Sequence, residues 1–208
     1  FAEENMDENH RRLKKLHQLI SDLGYSWNKG IRNGGVVDVI DSNLQSKVSE
    51  MRKSGLNIMM SMKNDAKPVS FIEDCAVELK DLAEYTDGLN KIFDKYNVKG
   101  TWYAHASVGC LHVRPVLNMK IQDDVDKMRN IANETSSLVK KFKGSYSGEH
   151  GDGIARSEFN EVMFGKKMTN IFKSIKNSFD PLNIFNPGKI VDAPKLDERD
   201  YFRYAPSY

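Results

Sequence analysis

Three of the five histidines in this 208-residue chain lie in two short polar segments, residues 103–115 and 147–153. In chain order, these segments contain His105, His112, Arg114, Glu149 and His150. Imidazole and carboxylate groups are the usual metal ligands and proton carriers of proteins at neutral pH. Because the packing of a core does not need such a concentration of polar groups, the two segments predict a functional site.

His105 and His112 are seven residues apart, an odd offset that would place them on opposite faces of one unbroken strand. The intervening run Ser107-Val108-Gly109 predicts a hairpin or a bulged strand instead, and such a bend returns the second imidazole to the neighbourhood of the first. Two neutral imidazoles and a carboxylate can form a three-ligand site for a divalent metal that leaves positions open for a substrate. The alternative is that each histidine only satisfies hydrogen bonds within its strand.

The dipeptide Glu149-His150 lies between Gly148 and Gly151. A carboxylate and an imidazole side by side in a glycine-rich loop are typical of backbone that approaches a bound ligand closely, although an ordinary turn is the alternative. Arg114 follows His112 by two residues and therefore shares its face of a strand. Its guanidinium group would suit a carboxylate beside a metal, and the alternative is an exposed surface arginine.

The elements that must position these residues follow from the spacing of apolar side chains. Helical spacing predicts helices over residues 6–23, 41–62, 79–96, 124–142, 158–164 and 166–179. Short β-rich runs predict strands over residues 34–40, 69–77, 101–107 and 110–117. The second helix is expected to bury Leu44, Val48, Met51, Leu56, Met59 and Met60. This order of elements predicts an α+β fold in which helices cover one face of a mainly antiparallel sheet.

Composition limits the kinds of partner. The formal net charge is only +2, and the sequence has no basic block, so we expect no nucleic acid partner. No apolar run approaches the roughly 18 residues that a membrane span requires. The two cysteines, Cys75 and Cys110, have no paired spacing, which favours a reduced, cytoplasmic location.

Three motifs together resemble the C-terminal domain of the FAD-linked oxidases, which include glycolate oxidase, D-lactate dehydrogenase and D-2-hydroxyglutarate dehydrogenase. The motifs are His-x6-His at residues 105–112, Ser-Gly-Glu-His-Gly at 147–151, and Phe-Asp-Pro followed by Asn-Pro-Gly-Lys within 179–190. Their order and spacing agree with the family over about residues 1–190. The resemblance implies a ferredoxin-like cap domain, with residues 191–208 a tail or a linker to a further domain. The family's N-terminal FAD-binding domain is expected to be absent from this fragment.

The resemblance also implies roles for individual side chains. Zn²⁺ or a similar divalent metal would be held by His105, His112 and Glu149. His150 would be the catalytic base that takes the proton from the 2-hydroxyl group of the substrate. The substrate carboxylate would be bound by Arg52, with Lys67 as a further candidate, and both compete with being solvated charges. Arg114 is a candidate for the same carboxylate because of its position beside His112, and it departs from the family, since several members have Asn there. Asn186 would contact the flavin.

The implied activity is the FAD-dependent oxidation of a small 2-hydroxy acid, D-lactate, glycolate or D-2-hydroxyglutarate, with hydride transfer to the flavin. Electrons would pass to an iron–sulfur domain, a quinone or another carrier. The run His-Val-Arg-Pro at residues 112–115 resembles a subgroup fused to an iron–sulfur domain, whose cluster would lie beyond Tyr208. The alternatives are a non-catalytic metal-binding or interaction module and a flavin lyase or synthase.

Further expectations concern the setting of the chain. The sequence shows no glycine-rich phosphate cradle after a strand, so we expect the 208 residues alone to bind FAD weakly and to be inactive. Peripheral association of the complete protein with the inner face of a membrane, and a homodimer, are the remaining options for its assembly.

Overall fold

The functional segments are organised around one strand, β4, which lies at the centre of a small sheet. The computed structural model describes residues 4–24 and 37–203, which fall into two units divided between Gly55 and Leu56. The α-helices are α1 (Met6–Asp22), α2 (Ser42–Lys53), α3 (Gly55–Met60), α4 (Leu82–Lys95), α5 (Gln122–Lys141), α6 (Gly153–Arg156), α7 (Asn160–Phe164) and α8 (Lys166–Phe179). The strands are β1 (Lys67–Pro68), β2 (Cys75–Ala76), β3 (Gly100–His105) and β4 (Cys110–Leu117).

The sheet is antiparallel throughout its described strands. β3 pairs with β4 along one edge, with Tyr103 opposite His112 and Thr101 opposite Arg114. β1 and β2 also pair with β4, at its end and at its beginning respectively. The predicted α+β fold with a mainly antiparallel sheet is confirmed, as are the long helices expected over residues 79–96, 124–142 and 166–179.

The turn between β3 and β4 depends on Gly109, which has a φ of +71°. A Cβ atom at this position would lie 1.9 Å from the carbonyl oxygen of Val77. Only glycine combines the left-handed conformation with such a close approach of two backbones. The hairpin predicted from Ser107-Val108-Gly109 is therefore confirmed, and its turn packs directly against the backbone that follows β2.

The two faces of β4 have different environments. Leu111, Val113 and Leu117 belong to the hydrophobic core, whereas His112 and Arg114 alternate with them and face the opposite side. Helix α5 packs against both α4 and β4. The core residues of these elements include Tyr85, Leu89, Phe93, Val125, Ile131 and Val139. One strand thus joins the core to the polar segments.

The prediction of one strand over residues 69–77 is wrong for most of that segment. Only β2 forms a strand there, and Phe71 and Ile72 reach the core from a turn-rich stretch between β1 and β2. Asp74 has a φ of +60°, which is incompatible with a regular strand. Propensity alone could not separate a buried irregular segment from a strand.

The segment from residue 37 to residue 62 differs from its prediction in two respects. Residues 37–40 are not in a strand, and the rest of the predicted strand 34–40 lies outside the described residues. The helix expected over 41–62 is interrupted at Ser54 and divided into α2 and α3, and Gly55, the first residue of α3, is a poor helix former. The expected burial of its apolar face is also wrong, because Leu44, Val48, Met51, Leu56 and Met60 are exposed and Met59 is only half-buried. Helical periodicity identifies an apolar face but not whether anything covers it.

None of the helices in the described part of the chain is long and apolar enough to cross a membrane.

Candidate metal and proton-transfer site

The β3–β4 hairpin brings His105 and His112 together, as the sequence predicts. Their ring centroids are 5.0 Å apart, with the ring planes nearly perpendicular. Tyr103 packs against both imidazoles, with ring centroids 5.7 Å from His105 and 5.6 Å from His112. His112 is buried, whereas His105 is exposed, so the pair lies at the rim of the sheet face.

The loop at residues 147–151 supplies the carboxylate. Glu149 Oε1 lies 2.8 Å from His112 Nε2 and 3.7 Å from His105 Nε2. One ligating atom from each of the three residues lies within 4.8 Å of the other two. Around an ion with bonds of about 2.0–2.2 Å, neighbouring ligand atoms lie roughly 3–3.6 Å apart. The three side chains could therefore hold one divalent metal after small adjustments.

The environment of His112 favours the neutral form of its imidazole, which is the form that metal binding requires. Burial lowers its pKa, an effect that the nearby carboxylates of Glu149 and Glu73 only partly oppose. A neutral imidazole is the form that binds a metal. Its Nδ1 atom is buried and has no hydrogen-bond partner among the described residues.

His150 lies beside the three candidate ligands. Its ring stacks on His112, with a centroid distance of 5.0 Å and an angle of 20° between the planes. Its Nε2 atom is 3.4 Å from Glu149 Oε1, and its Nδ1 atom is 2.7 Å from Glu73 Oε1. Because its side chain is 46% exposed, His150 could exchange protons with a substrate and with solvent.

Two buried carboxylates, Glu73 and Asp74, lie next to the histidines, and the sequence patterns did not predict either of them as part of the site. Glu73 binds Arg114 Nε through Oε2, which also accepts from the hydroxyl group of Ser70 at 3.0 Å. Burial acts to raise the pKa of Glu73, but hydrogen bonds from Arg114, Ser70 and His150 and the charge of Arg114 lower it overall. The available signal was a pair of adjacent acidic residues within an otherwise apolar run, Phe71-Ile72-Glu73-Asp74-Cys75.

Asp74 anchors the backbone of the 147–151 loop. Its Oδ2 atom accepts from the N–H groups of Glu149 and His150, at 3.0 and 2.5 Å, and from the hydroxyl group of Ser147 at 3.2 Å. Its Oδ1 atom accepts from Arg156 Nη1. The Nη2 atom of Arg156 donates to the carbonyl oxygen of Gly151. The buried pair of Asp74 and Arg156 thus fixes the loop conformation that presents Glu149 and His150.

The remaining predicted site residues lie in different environments. Arg114 faces the histidine cluster, but it is largely covered and is paired with Glu73 rather than open to solvent. Lys67 is in β1 and donates to the carbonyl oxygen of Met62. Arg52 is in the last turn of α2, in the first unit. None of the contacts described for Lys67 reaches the histidines.

Asn186 lies in the turn that follows α8. It has a φ of +49° and lines an apolar hollow with Phe172, Ile175 and Phe185. Asp180 organises this turn by accepting from the N–H groups of Ile184 and Phe185, each at 2.9 Å. The described contacts therefore assign a structural role to part of the Phe-Asp-Pro motif.

The arrangement of these motifs agrees with the result of sequence comparison. Residues 1–190 match the family described as FAD linked oxidases, C-terminal domain. The chain belongs to this family. The prediction from the three motifs is thus confirmed.

Several curated relatives of the chain carry the names of hydroxy-acid enzymes. The chain is 34% identical over 154 residues to a D-2-hydroxyglutarate dehydrogenase of Haemophilus influenzae, covering 74% of this chain and 15% of the relative. It is 30% identical over 190 residues to the enzyme of the same name from Pantoea ananatis, covering 91% and 18%. It is also 28% identical over 143 residues to the glycolate oxidase subunit GlcD of Bacillus subtilis, covering 69% and 30%. The chain thus spans less than a fifth of the length of the first two relatives.

Proposed function

We propose that this chain is the substrate-binding domain of an FAD-dependent dehydrogenase for 2-hydroxy acids, with D-lactate, glycolate and D-2-hydroxyglutarate as the candidate substrates. The observation that carries the proposal is the convergence of His105, His112 and Glu149, with His150 directly beside them. The names of the relatives support 2-hydroxy acids as the substrate class.

The donor set is suited to Zn²⁺ or a similar divalent ion. Two imidazoles and one carboxylate are a common catalytic set, and three protein ligands leave at least one position for a substrate oxygen. The lowered pKa of His112, caused by burial, keeps it in the ligating form. When bound, the metal would polarise the 2-hydroxyl group of the substrate, and the flavin would accept the hydride.

His150 is suited to accept the hydroxyl proton. Its Nδ1 atom lies 2.7 Å from Glu73 Oε1, and a proton held at Nδ1 would leave the lone pair on Nε2. That atom is 3.4 Å from Glu149 Oε1, so a substrate hydroxyl group bound to the metal would lie close to the base. Its exposure then allows the proton to leave to solvent.

Arg114 remains our candidate for the substrate carboxylate. A guanidinium group has five N–H donors, so its contact with Glu73 through Nε leaves donors for a second carboxylate. Arg52 and Lys67 as further substrate contacts, and Asn186 as a flavin contact, rest on the family resemblance alone. The proposal includes an electron acceptor outside this chain, an iron–sulfur domain, a quinone or another carrier, and a location in the cytoplasm or at the inner face of a membrane.

Substitution of His150 tests the proposal in the complete protein that carries this chain. We expect His150→Ala to lower kcat for the best of the three hydroxy acids by roughly 10²–10⁴-fold, the usual contribution of general-base catalysis. His10→Ala, at an exposed position of α1, is the matched control and should leave kcat unchanged.

Two results would count against the proposal. If His150→Ala oxidised hydroxy acids at the wild-type rate, the base would lie elsewhere. If the complete protein bound the metal but oxidised none of the three acids, a non-catalytic metal-binding module or a flavin lyase or synthase would be the better description.

A further inference from the structure

Glu73 is a buried carboxylate whose two oxygen atoms have different partners. It is only 5% exposed. Oε2 binds the guanidinium group of Arg114 and the hydroxyl group of Ser70, and Oε1 lies 2.7 Å from His150 Nδ1. A buried carboxylate is tolerated when it is paired and its oxygens are hydrogen-bonded, and both conditions hold here. The partners also make the carboxylate asymmetric, since one oxygen faces a permanent cation and the other faces an imidazole.

A second cation site is the competing interpretation of this cluster. Ligating atoms of Glu73, His112 and His150 also lie within 4.8 Å of one another. However, the guanidinium group of Arg114 already neutralises Glu73 and would repel a divalent cation placed beside it. An arginine side chain does not lose its proton in proteins, so this repulsion persists at every relevant pH. The arrangement therefore favours an orienting role for Glu73 over a metal-binding one.

We propose that Glu73, held by Arg114, is a positioning residue that fixes His150 as the tautomer with a proton on Nδ1, so that Nε2 is presented to the substrate. A carboxylate is only an acceptor when ionised, so the Nδ1 atom at 2.7 Å from Glu73 must carry the proton. The 3.4 Å between Nε2 and Glu149 Oε1 is longer than an ordinary hydrogen bond and makes no such demand on Nε2. The adjacent residue Asp74 binds the backbone N–H of His150, so one dipeptide fixes both the backbone and the ring of the base. This inference rests on the proposed role of His150 as the base.

Glu73→Gln gives a sharp test because Arg114 controls the orientation of the new amide. The guanidinium group only donates, so the amide oxygen must turn toward Arg114 and the NH₂ group toward His150. Nδ1 would then accept a hydrogen bond, the ring proton would move to Nε2, and the base would be blocked. We expect this inversion of the tautomer, together with a fall in kcat of roughly 10²–10⁴-fold and little change in KM.

The tautomer is read by long-range ¹H–¹⁵N NMR on the metal-free 208-residue chain, labelled with ¹⁵N-histidine, at a pH where the rings are neutral. His150→Gln assigns the resonances. The unmodified chain should show a protonated Nδ1, Glu73→Asp should retain it, and Glu73→Gln should invert it. Glu134→Gln, which alters an exposed contact with Lys95, is the control and should change neither the tautomer nor kcat.

The outcomes separate this inference from the proposed function. A proton on Nε2 in the unmodified chain would overturn the inference, and this measurement does not depend on the folding of any Glu73 variant. Wild-type kcat and an unchanged tautomer in folded Glu73→Gln would overturn it as well, while a large loss in His150→Ala would leave the proposed function intact. Wild-type activity of His150→Ala would instead remove the proposed function, whatever the tautomer.

Discussion

Removal of the Asp74 carboxylate should destabilise the second unit more than any change at its surface. Asp74 is completely buried, and it accepts hydrogen bonds from two backbone N–H groups, one hydroxyl group and Arg156. The Arg156 side chain is itself only 10% exposed. Asp74→Ala therefore leaves a buried guanidinium group without its carboxylate and removes the anchor of the 147–151 loop.

The size of the effect follows from these contacts. Removal of one partner of a buried ion pair costs about 3–5 kcal/mol of unfolding free energy, mainly because the other charge stays buried. The φ of +60° adds a smaller cost, roughly 1 kcal/mol, since alanine adopts the left-handed region less readily than aspartate. Asp74→Asn should lose less, about 1.5–3 kcal/mol, because an amide oxygen still accepts and asparagine tolerates this conformation.

Urea denaturation of the chain measures these differences, with Trp102 of β3 as the reporter. The protein has two tryptophans, so a Trp27→Phe background leaves Trp102 as the single fluorophore. Lys173→Ala breaks an exposed ion pair with Asp192 and is the control, with an expected change below about 1 kcal/mol. A double-mutant cycle with Arg156→Ala should give a coupling energy of about 0.5–3 kcal/mol. If Asp74→Ala were no more destabilising than Lys173→Ala, the buried-pair reasoning would be refuted.

Three further predictions concern the metal, the hairpin and the thiols. Calorimetric titration should show that His112→Ala weakens Zn²⁺ binding by more than about 100-fold, beyond the usual effect of an outer-shell change, whereas equal affinity in His112→Ala and His10→Ala would place the metal elsewhere. Gly109→Ala should lower the unfolding free energy by more than about 2 kcal/mol in the same urea assay, through its φ of +71° and the clash with Val77, and a neutral effect would contradict the turn. Burial raises the pKa of Cys75 to about 12 and that of Cys110 to about 11, so both thiols should react with a disulfide reagent at pH 8 only after denaturation, and fast labelling of the folded chain would be inconsistent with this burial.

The sequence contained enough information for the hairpin site but not for the residues beneath it. His105 and His112 could be placed together because strand alternation and a glycine bend are local features, which adjacent residues determine. The burial of Glu73 is not local, because it depends on Arg114, which lies 41 residues further along the chain. A run with two apolar residues on either side of Glu73-Asp74 has the composition of a strand, and only the tertiary contacts show that both acids turn inward.

Helices α2 and α3 show the opposite error, since a correct local pattern led to a wrong tertiary conclusion. The apolar spacing of α2 and α3 corresponds to helices, and Asp41, a residue type favoured at the start of helices, caps α2 by accepting from the N–H of Leu44 at 2.8 Å. Burial requires a second surface, and helical periodicity carries no information about that surface. Caps and turns are thus predictable to within a few residues, whereas the packing of an amphipathic face is not.

The charges around the site explain why a cation would select one of the two candidate ligand sets. Glu73 and Asp74 are each paired with an arginine, Arg114 and Arg156 respectively. Among the described residues, the ion-pair partners of Glu149 are histidines alone, and a neutral imidazole does not balance a carboxylate. Glu149 therefore has no permanent cation among these partners at the position where His105, His112 and Glu149 meet. A divalent metal would gain attraction there and repulsion beside Arg114. In the function that we propose, the two buried acids would therefore hold the base and the loop, and Glu149 would bind the ion.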